Sequence, residues 1–183
     1  IYTMSEYLIY IFIFFILFGF VFSSILEYVN SKNWKDSVPD TLKDFYKESD
    51  YKKAKSYKLD RDKVSLISSL ISTTLTIIFI FSGFYGKVSD YSLYYFDNLF
   101  LQSAGFFLFF LLISTIISLP ISYYSIFTIE EKYGFNKSTM STFIKDKIKG
   151  LIISLLIGGF ILYISIQLYN FCLLYTSDAA DEL

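Results

Sequence analysis

Histidine is absent from these 183 residues, and cysteine occurs once. A His-ligated zinc site, a Ser-His-Asp triad and a Cys-His dyad therefore cannot be assembled within this chain. Nor can an internal disulfide. Proline is scarce at two residues and glycine at eight. Charged residues make up 18%, below the roughly 25% of an average soluble chain. The sixteen basic and seventeen acidic residues nearly cancel, so nothing in the net charge points to a nucleic-acid partner. Apolar and aromatic residues fill the space, with 54% hydrophobic and 21% aromatic, including 21 Phe and 17 Tyr.

A bilayer core asks for about 20 consecutive apolar residues in a helix. Four stretches carry no Asp, Glu, Lys or Arg: 7–26 (YLIYIFIFFILFGFVFSSIL), 64–86, 98–129 and 150–177. They predict transmembrane helices at roughly 7–27, 64–84, 99–119 and 151–169. Helices of a soluble bundle would show a polar face, and these do not. The runs are also far longer than ordinary strands. The first stretch lacks the basic leader and small-residue cleavage site of a signal peptide, so it reads as a retained helix. The expected fold is an all-α polytopic transmembrane bundle of four helices, with short cytoplasmic amphipathic helices. Ten Lys and Arg lie in 27–63, five in 120–150 and one, Lys87, in 85–98. By the positive-inside rule the N-terminus is then outside, and the first and third loops are cytoplasmic.

The first loop mixes both charges. Pro39 suits a helix start, and Leu42, Phe45 and Tyr46 fall on one face. A second short helix is expected with Tyr51, Ala54 and Tyr57 on one stripe. The loop is either a solvated, salt-bridged hairpin or a surface that packs on a catalytic domain or anionic headgroups. The second span carries Ser65, Ser68, Ser69, Ser72, Thr73, Thr74 and Thr76. Such hydroxyls serve close helix packing or line a wet cavity. Gly158 and Gly159 are expected to serve close packing in the fourth span. No ionisable residue sits at mid-membrane depth, which counts against a proton-coupled transporter.

The third charge-free stretch runs into 119–139, LPISYYSIFTIEEKYGFNKST. Pro120 kinks or ends the third helix. Tyr123, Phe127 and Glu131 repeat every four residues on a continuing helix. Gly134 fits a left-handed cap. Asn136, Ser138 or Thr139 can cap an amphipathic helix that begins near Met140. These features give helix, turn and helix, and no chemistry.

The pattern LPxxxYxxFxIEEKYGFNKST, followed by TFIKDKIKG, resembles the N-terminal membrane domain of the CAAX prenyl protease type 1 family. The loop VPDTLKDFYKESDYKKAKSY is similar to the equivalent cytoplasmic segment of bacterial members. The likeness covers roughly residues 5–170. It implies a fold of seven long transmembrane helices around a water-filled chamber with a zinc site inside. It also implies ligands from an H-E-x-x-H helix and a later Glu, with the motif Glu as general base. The implied substrates are prenylated CAAX proteins or other peptides and proteins at the membrane.

This chain has no H-E-x-x-H, so the resemblance carries no catalytic, cofactor or metal residue onto it. The family-motif positions are Pro120, Tyr124, Phe127, Glu130, Glu131, Gly134, Phe135, Asn136, Lys137 and Thr139, all with expected structural roles. For Glu130 and Glu131 that role is an interfacial ion pair or cap that docks the third loop. The resemblance implies zinc in the full-length protein, and the expected partners are the lipid bilayer, a missing C-terminal catalytic half and a peptide or protein substrate.

Composition shifts at 172–183, CLLYTSDAADEL, which holds the only Cys and two of the four Ala. The string is similar to the translation of a transposon-type sequencing-library adapter, so a non-native tail is expected after an N-terminal domain of residues 1–171. The Arg-poor, Ile-, Phe- and Lys-rich usage suggests an AT-rich genome. It favours a bacterial inner membrane over an endoplasmic reticulum membrane. The expected function is the N-terminal part of a membrane zinc metalloendopeptidase, inactive alone. The alternative is a small four-span scaffold without catalytic activity.

Overall fold

The computed structural model describes residues 2–35, 37–39 and 43–181, with side chains from 7 to 172 in those ranges. The helices are α1 (Tyr2–Lys32), α2 (Glu48–Phe81), α3 (Phe84–Tyr95), α4 (Leu99–Tyr124) and α5 (Met140–Asp181), with a π-helical turn at Ser125–Glu130 that continues α4. No strand occurs among the described residues. Four helices are long and apolar enough to cross a membrane, namely Tyr7–Lys32, Glu48–Phe81, Leu99–Glu130 and Met140–Cys172. The all-α, four-span architecture expected from the charge-free runs is the one found.

The amphipathic segments are present, but they are not free-standing. Tyr51, Ala54 and Tyr57 lie in the first turns of α2, which runs unbroken for 34 residues, about 51 Å. Its charged half, 48–63, extends beyond the apolar half, 64–81, that crosses the bilayer. The helix expected near Met140 is likewise the start of α5. Segmentation by charge stops where charges begin, whereas Lys, Glu and Ala are good helix formers and let the helix continue. In the first loop, Leu42 lies outside the described residues. Residues 43–45 form a turn, and Phe45 and Tyr46 are exposed, so no helical stripe forms there.

Pro120 does not end the third span. It lies inside α4, which runs four residues further and then widens into the π turn. Proline costs one backbone hydrogen bond, to the carbonyl four residues earlier, and membrane helices absorb that loss by local adjustment. Ser69, Ser72 and Thr76 donate their hydroxyls to the carbonyls of Ser65, Ser69 and Ser72, all on their own helix. Gly158 and Gly159 would meet nothing within 4 Å of an added Cβ, so the close packing expected of them is not made within this chain.

The chain divides into two compact units, 1–84 with 117–137, and 85–116 with 138–183. In the first, α1 and α2 are antiparallel neighbours, and the Ser31 hydroxyl donates to Asp62 Oδ2 at 2.6 Å. The connecting loop folds back on α2. The Trp34 and Tyr51 rings lie 5.4 Å apart, and the Val38 amide donates to Glu48 Oε2 at 3.2 Å. In the second unit, α3 and the first half of α4 form a tight antiparallel pair. The Tyr85 and Phe110 rings are 4.7 Å apart. Gly105 faces Phe96 so closely that a Cβ there would stand 2.9 Å from the Phe96 Cε2 atom.

Candidate functional site

The segment after α4 is shaped by backbone hydrogen bonds before any side chain acts. Gly134 has φ +68°, a left-handed conformation that costs glycine little and other residues more. That turn lets the amides of Phe135 and Asn136 both donate to the Glu130 carbonyl, at 2.8 and 3.2 Å. The Gly134 amide donates to the Glu131 carbonyl at 2.9 Å. The Asn136 side chain then donates to Glu131 Oε2 at 2.9 Å and closes the loop on itself. Ile129 is buried beneath it.

This rigid loop presents Lys132 and Tyr133 to α2. Lys132 Nζ donates to Asp60 Oδ2 at 2.7 Å, and the Tyr133 hydroxyl donates to the same oxygen at 2.8 Å. Lys63 pairs with the other carboxylate oxygen at 3.4 Å. The hydrogen bonds from Lys132 and Tyr133 hold the Asp60 pKa down to about 2, against a smaller opposing effect of burial. Hydrogen bonding to Asp60 raises the Lys132 pKa in turn. Aromatic rings surround the pair. Tyr57 meets Tyr133 and Phe135 edge to face at 5.5 and 4.8 Å, and Lys53 Nζ lies 5.0 Å over Phe135. Two residues on, Asp62 is bound by Lys58 and Ser31. Burial opposes its charge, yet the Lys58 and Ser31 hydrogen bonds prevail and its pKa is lowered.

The motif residues thus separate into groups. Glu130, Glu131, Gly134, Phe135 and Asn136 build or pack the loop. Phe127 stacks on Tyr123 at 4.9 Å within the π turn region, while Tyr124 and Lys137 are exposed. Pro120 is a helix-interior residue. Thr139 caps α5, its hydroxyl accepting from the Thr142 amide at 3.2 Å. Sequence reasoning did not single out Asp60, Lys132 or Tyr133 as a unit. The acceptor lies 72 and 73 residues from its donors. The available signal was only a dense charge run, DRDK, at the edge of a span.

Zinc does not fit the residues present. The chain has no His, and among the described residues no three His, Cys, Asp or Glu side chains gather into a metal-holding group. The Glu131 carboxylate is taken up by Asn136. No catalytic step is therefore assigned to this chain.

Four apolar spans, and a loop clamped to a charged helix extension at one membrane face, define a polytopic integral membrane domain. The family described as "CAAX prenyl protease N-terminal, five membrane helices" matches residues 27–175, and the chain belongs to that family. Among curated relatives, CAAX prenyl protease 1 of Saccharomyces cerevisiae is 28% identical over 162 residues, covering 82% of this chain and 36% of the relative. The CAAX prenyl protease 1 homolog of Dictyostelium discoideum is 32% identical, covering 91% and 41%. The human homolog is 33% identical, covering 69% and 29%. The crystal structure of S. mikatae Ste24p superposes with a TM-score of 0.78 at 30% identity, covering 88% of this chain and 39% of that one. The chain thus spans about two fifths or less of the length of these proteins.

Proposed function

We propose that this chain is the N-terminal membrane portion of a CAAX prenyl protease-type zinc metalloendopeptidase and that its own part is architectural. It supplies four spans and a clamped loop, and the remaining polypeptide supplies the zinc ligands and general base. The observation that carries this reading is the fate of the motif. Lys132, Tyr133, Glu131 and Asn136 are spent on Asp60 and on one another, which leaves a scaffold rather than a reactive centre. The substrate is a prenylated CAAX peptide or another peptide at the membrane, and zinc held by the remaining polypeptide would supply the activated water. The loops at 33–47 and 131–139 face the cytoplasm, as their Lys and Arg content supports. The compositional bias supports a bacterial inner membrane, while the relatives named above are eukaryotic and support the endoplasmic reticulum. Composition supports reading 172–183 as a non-native tail, while the family match reaches 175 and α5 continues to Asp181.

The test is split reconstitution. The purified chain is mixed with the remaining portion of a relative, and cleavage of a farnesylated CAAX peptide is followed. Activity is expected only from the mixture, it should be lost with a zinc chelator, and it should fall when Asp60→Ala is introduced. Chelator-sensitive cleavage by the chain alone would overturn the proposal. A mixture that assembles but never cleaves would favour a scaffold without catalytic function.

A further inference from the structure

The tyrosines of α3 have no place in the reading above. Tyr91, Tyr94 and Tyr95 are 66%, 81% and 69% exposed, whereas Val88 and Ser92 of the same helix are buried. With Lys87 and Asp90 the three rings line one shallow open trough. We propose that this face of α3 is a headgroup-layer anchor, seated among the phosphates and acyl carbonyls of the leaflet into which the Leu99 end of α4 emerges.

The position follows from length. Leu99–Glu130 is one continuous helix of 32 residues, about 48 Å at 1.5 Å per residue. A hydrocarbon core is about 30 Å thick, and about 40–45 Å with its headgroups. A helix of this length reaches past the hydrocarbon core into the headgroup layers, so the first turns of α4 emerge in one of them. The C-terminal half of α3 is pinned to those same turns. Gln102 Nε2 donates to the Phe96 carbonyl at 2.6 Å, Asn98 Oδ1 accepts from the Phe100 amide at 2.7 Å, and Phe96 lies against Gly105.

The occupant follows from chemistry and continuity. Leu99 and Leu101, which follow the tyrosines in the chain, are exposed at the start of a membrane-crossing helix, so the tyrosines lead into a lipid-facing surface. A phenol matches a layer that is apolar on one side and wet on the other. Lys87 reaches toward phosphate by snorkelling, and Asp90, three residues on, offsets its charge, which suits a zwitterionic headgroup.

The test places a fluorophore at the trough. Trp34→Phe removes the only tryptophan, and Tyr94→Trp or, separately, Tyr91→Trp is added to the full chain in phosphatidylcholine vesicles. Emission shifted to the blue of free tryptophan, and lost more to lipids brominated near the carbonyls than to lipids brominated near the chain ends, is expected. Stronger quenching by chain-end bromines would overturn the proposal by placing the face in hydrocarbon. Quenching by aqueous acrylamide alone would place it in water, and resistance to every quencher would place it under protein; either also overturns it. Unchanged helical circular dichroism identifies the variant to be read, and the two positions give independent answers.

Discussion

The Asp60 loop and the α3–α4 pair solve the same problem, joining helices that are distant or antiparallel in the chain, by different physics. At the loop, joining rests on directed polar contacts, with two donors meeting one carboxylate oxygen and a third meeting the other. At the α3–α4 pair it rests on shape, with Phe96 against Gly105 and Tyr85 on Phe110, plus the Gln102 bond to the Phe96 carbonyl. The difference follows the solvent. Where α4 enters the bilayer, hiding apolar surface gains little and close packing by small residues such as Gly105 takes its place. Side chains at the membrane face can use charge, each pair being worth little in water unless several converge.

Substitutions that break one region should leave the other standing. Gly105→Leu should have the largest effect, because even a Cβ would stand 2.9 Å from Phe96. Overpacking of this kind costs about 1–3 kcal/mol, readable as a lowered midpoint of helix loss on heating in detergent. Gly134→Val comes next. Nothing crowds the position, since Lys53 Nζ at 3.9 Å is the nearest atom to an added Cβ. The backbone at φ +68° is the obstacle, at about 1–2 kcal/mol. Asp60→Asn should cost on the order of 1 kcal/mol, because Lys132 and Tyr133 lose their charged acceptor but can turn to water. It should also raise the proteolytic sensitivity of the 131–137 loop without altering the α3–α4 pair.

The pH dependence sharpens the contrast. Asp60, lowered from 3.8 to about 2, contributes stability that is present above its unfolded value and is lost as pH falls through about 2. Lys132, raised from 10.5, contributes stability that is present below 10.5 and is lost as pH rises through its elevated folded value. The loop's resistance to protease should therefore be flat from about pH 4 to pH 10 and fall outside that window. The contacts described at the α3–α4 pair, Phe96 on Gly105, Tyr85 on Phe110 and Gln102 to the Phe96 carbonyl, are between uncharged groups. The smallest effect is expected from deleting residues 176–183, which lie beyond the family match and should leave the thermal midpoint unchanged.

The spans were legible because lipid leaves one readable mark, a long run without charge. The glycine turn at Gly134 and the cap at Thr139 were legible because each depends on a residue's own backbone chemistry. Of the two readings of Pro120, kink or end, the end is excluded because the helix carries on past it, as the repeat of Tyr123, Phe127 and Glu131 implied. The extensions of α2 and α5 were hidden because charge marks the edge of the membrane, not the edge of a helix. Asp60 was hidden for a deeper reason. Its donors lie more than seventy residues away, and no local pattern names a partner at that distance. The resemblance of the motif located the loop but not what holds it.

A charge exchange tests most directly that the motif is a clamp. Asp60→Lys and Lys132→Asp are made singly and together, and the thermal midpoint of helix loss is measured for all four proteins. The clamp predicts that each single change lowers the midpoint and that the double change recovers a substantial part of the loss. Losses that simply add would show that Asp60 and Lys132 act independently, and would contradict it.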